Sequence, residues 1–191
     1  MAFTPDPFMS ANPYAPPLSH VDDAAVVAPS LPPFFSVSIR KFAVMWVCTM
    51  GLYQLVWFCI HWQRIKVREK LNISPGPRAF FSLFFAYACF KRICNFEAPG
   101  IEKSKLPIGL ITVVWMVIAC LGMLPAPFNA IAWISFLLLL PVQRRANEIN
   151  DVVAPDHDPN DRFTIWNWFF IVIGSILGVL TIIGTFLPPQ P

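Results

Sequence analysis

The chain alternates long apolar runs with short stretches rich in lysine and arginine. Residues 106–142 and 163–187 contain no Asp, Glu, Lys or Arg, and a bilayer-spanning helix needs about 20 predominantly apolar residues. The pattern predicts four spans: Phe42 to Trp62, Leu106 to Leu124, Phe128 to Val142 and Phe163 to Leu187. Pro125-Ala126-Pro127 joins the second and third as a tight hairpin. The third gains length through Gln143-Arg144-Arg145, whose arginines can snorkel to headgroups, and an Arg144–Glu148 pair at i, i+4 would support that extension. Asn160 or Asp161 is placed to cap the last span, and Pro188-Pro189 stops it. A fifth apolar segment, Ala79 to Phe90, lies between Arg78 and Lys91-Arg92, after Ser74, Pro75 and Pro77 as start signals. As a helix it covers about 18 Å, against a hydrocarbon core of about 30 Å. The expected class is therefore an all-α integral membrane protein with four transmembrane helices plus one short membrane-dipping helix, or alternatively five transmembrane helices.

Composition sharpens this picture: 56% of residues are hydrophobic and 13% charged, whereas an ordinary soluble domain carries about 25% charged residues. Residues 1–33 hold eight prolines, which fix φ and remove backbone donors, so residues 1–35 read as a disordered proline-rich tail. Residues 36–187 form the expected helical membrane domain, and 188–191 a short tail. PxxP spacings at Pro13/Pro16 and Pro29/Pro32 could dock in an aromatic groove of a partner, although such spacings arise by chance in proline-rich chains. No basic n-region followed by an apolar core marks a cleavable signal peptide.

Lysine and arginine are retained in cytoplasmic loops, which ranks the topologies. With four crossings, twelve basic residues fall inside and only Arg40 and Lys41 outside; with five, the best split is nine to five. Four crossings with both termini outside is the expected arrangement, and both alternatives put the PAP turn and the C-terminus outside. Trp62, Trp166 and Trp168 would form an aromatic belt on the basic side.

The candidate chemistry is sparse. Gly174, Gly178, Thr181 and Thr185 share one helical face, where small residues let two helices approach closely; the partner helix can lie in this chain or in another copy. Thr49, Gln54, Asn129 and Asn167 are polar residues inside the apolar runs, and none is ionised at neutral pH, so interhelical hydrogen bonding is the expected role. Gln143, Asn147 and Asn150 recur at i, i+4, i+7 and read as a solvated face, with headgroup or partner binding as the alternative. Asp156 to Asp161 offers oxygen ligands but lacks the glycine and distal glutamate of a calcium loop, and reads as a turn and cap. Cys48, Cys59, Cys89, Cys94 and Cys120 form no CxxC and read as small hydrophobes. No GxSxG, HExxH or Walker-type loop is present, the three histidines are far apart in sequence, and no cofactor or metal is implied. A net charge of +3, with basic residues flanking apolar runs, argues against nucleic acid.

The stretch Ile39 to Phe58, with Thr49-x-Gly51-x-Tyr53-x-x-x-Trp57-Phe58 and Trp62 beyond it, resembles the opening of an uncharacterised family of small bacterial multi-pass inner-membrane proteins. Leu140-Pro-Val-Gln143 with Asn147 and Asn150, then Asn160, Phe163 and Asn167, is similar to that group's second half. The resemblance covers about residues 36–187 and implies a bacterial cytoplasmic membrane setting, with no activity attached. The expected role is a non-enzymatic interaction or structural membrane component, whose partners are the bilayer and a second copy or another membrane protein. A solute or ion pathway through Gln54, Asn129 and Asn167 is the first alternative, and a lipid-modifying enzyme the second.

Overall fold

The computed structural model describes residues 31–125 and 128–186, with the side chains of 128–130, 185 and 186 outside that description. The described residues form helices and loops with no strand, so the class is all-α as expected. The first departure lies in the first apolar run. It is two helices, α1 (Ile39–Cys48) and α2 (Tyr53–Glu69), not one. Between them the chain reverses at a Schellman turn, with Gly51 N–H donating to Trp46 O at 2.9 Å and Met50 N–H to Val47 O at 3.2 Å. Met50 and Gly51 have φ of 53° and 85°: Met50 holds the left-handed position of the turn, and Gly51 takes the second positive φ, where a side chain would be strained. Thr49 closes it, donating to Met45 O at 2.6 Å and accepting from Tyr53 N–H at 3.0 Å. The fold-back brings the Phe42 ring within 6.0 Å of both Tyr53 and Trp57.

The short aromatic segment also bends. Helix α3 (Pro75–Phe80) starts on the expected prolines, and Phe81 separates it from α4 (Ser82–Cys94), which continues past Phe90. Ascending along α2 and returning, the segment carries Arg78 and Arg92 to the same Trp62 ring, at 4.7 and 5.5 Å from its centroid. Trp62 is fully buried under them instead of standing in an exposed belt.

Helix α5 (Ile108–Leu121) rises next and the chain returns through a 3-10 helix, Phe128–Ser135, into α6 (Phe136–Val153). The extension of α6 beyond Gln143 is as expected, but Arg145, not Arg144, meets Glu148 at 3.4 Å. Helix α7 (Ile165–Phe186) is capped neither by Asn160 nor by Asp161. Thr164 and Asn167 form a reciprocal capping box, Thr164 N–H donating to Asn167 Oδ1 at 3.0 Å and Asn167 N–H to Thr164 Oγ1 at 3.4 Å. Asn160, with φ 50°, serves another purpose described below.

Trp57, Trp62, Trp115, Phe58 and Phe90 make the interior, with Trp115 rings 5.6 Å from Phe58 and 6.2 Å from Phe90.

The bundle has two unlike ends. At one of them Arg68 and Arg92 meet Glu69 at 2.7 and 3.0 Å, and Lys41 reaches the start of α7. The other end exposes Leu52, Phe80, Phe81, Phe84, Met123 and Leu124. Only one described helix, α7 over Ile165–Gly184, is both long and apolar enough to cross a membrane. That stretch is 6% buried, which separates it from the core helix of a water-soluble fold.

Candidate functional site: an amide-lined cleft around residues 33–37

The segment Pro33 to Val37 is non-helical, with a bend at Pro33 and Phe34, and Phe34 and Val37 have no exposed surface, so the folded part begins before residue 36. An isolated non-helical segment leaves every carbonyl in need of a donor. Here five successive carbonyls are each met by a side chain from another part of the chain. Arg68 Nη1 donates to Pro33 O at 3.2 Å, Asn150 Nδ2 to Phe34 O at 3.1 Å and Gln143 Nε2 to Phe35 O at 3.0 Å. Asn160 Nδ2 donates to Ser36 O at 3.0 Å and Asn147 Nδ2 to Val37 O at 2.9 Å. Asn150 also accepts from Phe34 N–H at 3.0 Å, so its amide pairs with that residue as a neighbouring strand would. The helical spacing of Gln143, Asn147 and Asn150 thus makes a buried docking strip on α6, correcting the reading of a solvated face.

Gln143 is the centre of the network. Its Oε1 accepts from Trp57 Nε1 at 2.6 Å and lies 3.3 Å from His61 Nε2. Since Oε1 only accepts, Nε2 of His61 carries the proton; Nδ1 has no partner among the described residues. Phe34 stacks between this layer and the basic end, edge-on to Phe96 at 5.4 Å and beneath the Arg68 guanidinium at 4.5 Å. His157 Nε2 completes the rim 3.0 Å from Ser36 Oγ.

Two charged groups hold the basic side of the cleft. Lys41, nearly inaccessible, donates to Asn160 Oδ1 at 2.7 Å and Arg162 O at 2.6 Å; burial lowers its pKa, and Asp158 and Asp161 act against that. Burial would raise the Glu69 pKa, but hydrogen bonds from Arg68 and Arg92 outweigh it and hold the carboxylate below its usual range. No cluster of three or more His, Cys, Asp or Glu fit to hold a metal occurs among the described residues.

The residues singled out from the sequence are scattered around this cleft. Thr49 closes the α1–α2 turn, and Gln54 donates to Ser82 Oγ at 3.0 Å, tying α2 to α4. Asn167 caps α7, away from Gln54, and the Asn129 side chain lies outside the described residues. On α7 the close contact is at Gly174, where an added Cβ would overlap the Cys48 carbonyl oxygen and lie 3.2 Å from Thr49 Cα. Gly178 is buried but looser, 3.9 Å from Met50 and Trp133 side-chain atoms. Thr181 is exposed and donates to Leu177 O at 2.9 Å, and the Thr185 side chain lies outside the described residues. The partner of the small-residue face is therefore α1 of the same chain. Sequence reasoning missed the cleft itself; Asn and Gln at helical spacing beside a Phe-Phe pair were its only visible signal.

Asn150→Ala should leave the Phe34 N–H and carbonyl buried without partners, at about 1–3 kcal/mol for each. Chymotryptic cleavage after Phe34 or Phe35 should then accelerate at least tenfold in detergent solution, and an unchanged rate would remove the clamp from the account.

No family model, no curated protein and no solved structure matches this chain.

Proposed function

We propose that this protein is a non-enzymatic membrane component that enters the bilayer from its basic end and presents its proline-rich N-terminal region to a partner there. The observation that carries this reading is the clamp on residues 33–37. Five side-chain donors fix residues 33–37, at the root of the proline-rich region, beside Arg68 and Phe96 at the basic end. In this reading α7 crosses the membrane, the α5–α6 hairpin reaches through it, and the α1–α2 and α3–α4 hairpins dip into one leaflet. Exposed Phe80, Phe81, Phe84 and the flank of α7 then face lipid, where exposed apolar surface costs nothing. Positive charge is retained on the cytoplasmic side, so the basic end and the N-terminus are cytoplasmic and the C-terminus is outside. The resemblance of the α1–α2 stretch supports a bacterial inner membrane.

Co-purification from mild detergent tests the role. A stoichiometric partner should accompany the full chain and be lost when residues 2–28 are deleted, with the clamp left intact. A partner retained by the deletion variant would show that the tail is not the docking element.

A further inference from the structure

The exposed side of α2 carries a groove with a cation at one end and only apolar walls at the other. Near the basic end it is a cavity of about 590 Å³ whose lining includes Leu31, Ile60, Gln63, Arg64 and Val67. Ile60 is shared with a second hollow of about 400 Å³, walled by Leu55, Val56, Cys59, Ala79 and Phe80. Val56 and Arg64 are eight residues apart on one helix, about 12 Å along its axis.

We propose that this groove binds an anionic phospholipid, its phosphate at Arg64 and an acyl chain along α2 towards Phe80. The inference rests on the membrane reading above. Arg64 is half-buried, and no carboxylate or hydrogen-bond acceptor among the described residues meets it, whereas its neighbour Arg68 is engaged by Pro33 O and Glu69. Burial works against the Arg64 charge, and an anion in the cavity offsets that cost. A free phosphate would leave the apolar half of the groove bare, and a choline headgroup would bring a second cation towards Arg64 and Arg68. An anionic lipid satisfies both halves, as basic pockets at the cytoplasmic side of helix bundles do.

Thermal unfolding of the full chain in neutral detergent tests this, with phosphatidylglycerol, phosphatidylcholine or inorganic phosphate added at equal concentration. Phosphatidylglycerol should raise the midpoint by several degrees in the wild type and in Arg144→Gln, whose guanidinium is exposed away from the groove. The rise should fall by at least half in Arg64→Gln and in Val67→Glu, which sets a carboxylate at i+3 from Arg64 on a position 67% exposed. An equal rise in Arg64→Gln and Arg144→Gln, or an equal rise with phosphatidylcholine or phosphate, would overturn the lipid site. Flotation with phosphatidylcholine vesicles reads the membrane assignment separately: wild type and variants should all float. A wild-type chain that stays in the aqueous layer would overturn that assignment and the lipid site with it.

Discussion

Gln143→Leu should lower the thermal midpoint in detergent more than any other single substitution in α6. Leucine nearly matches glutamine in volume, so the loss comes from hydrogen bonds and not from a cavity. The Trp57 indole N–H and the Phe35 carbonyl would both stay buried with no partner, and Asn147 Oδ1 would lose a donor at 2.7 Å. At about 1–3 kcal/mol for each of the two orphaned groups, the total is about 2–6 kcal/mol, a large part of the 5–15 kcal/mol typical of a folded domain. Gln143→Glu should be similarly damaging, because a carboxylate can accept from Trp57 but cannot donate to Phe35 O. A midpoint within experimental error of wild type for both variants would mean that the cleft does not hold the fold.

Gly174→Ala and Gly178→Ala should differ sharply although the two positions are one helical turn apart. Intrinsic helix propensity favours alanine over glycine by about 1 kcal/mol, so propensity alone predicts that both variants are stabilised. Packing reverses this at Gly174 only, because the new methyl would overlap backbone atoms of Cys48 and Thr49, which cannot rotate away. The cost should be at least about 1–3 kcal/mol, the range for overpacked cores. At Gly178 the nearest atoms are 3.9 Å away and belong to side chains, so alanine should be neutral or slightly stabilising. Equal thermal midpoints for the two variants would contradict the α1–α7 contact.

These two sites also separate what the sequence discloses from what it hides. The helix start at Pro75, the reach of α6 past Gln143 and the long final helix are legible because prolines and charge boundaries mark them directly, whereas the helix expected from Phe128 is a 3-10 helix to Ser135, and α6 begins only at Phe136. The α1–α2 reversal is hidden, since Thr49-Met50-Gly51-Leu52 is written almost wholly in residues that also suit a continuous apolar helix. Only Gly51 hints at it. A reversal there leaves Lys41 beside Asn160 and Arg162 at the start of α7, so the expected separation of Arg40 and Lys41 from that basic loop does not appear in the fold. Side-chain patterning fails differently at Gln143, Asn147 and Asn150. Their partners are backbone carbonyls of residues 34–37, and a carbonyl leaves no trace in a residue code. Small-residue spacing on α7 singled out Gly174 and Gly178 but not the depth of contact at each, which depends on where the α1 helix ends.

The central claim is that the chain enters the membrane from one face, with its N-terminus on the side of the basic loops and its C-terminus on the other. Reporter fusions in a bacterial host test it most directly. A fluorescent protein placed before Met1 should be bright, and alkaline phosphatase placed after Pro191 should be active in the same host. A dark N-terminal fusion together with an active C-terminal phosphatase would instead put both termini outside, and contradict the fold-back of α1 on α2 as the way the chain enters the bilayer.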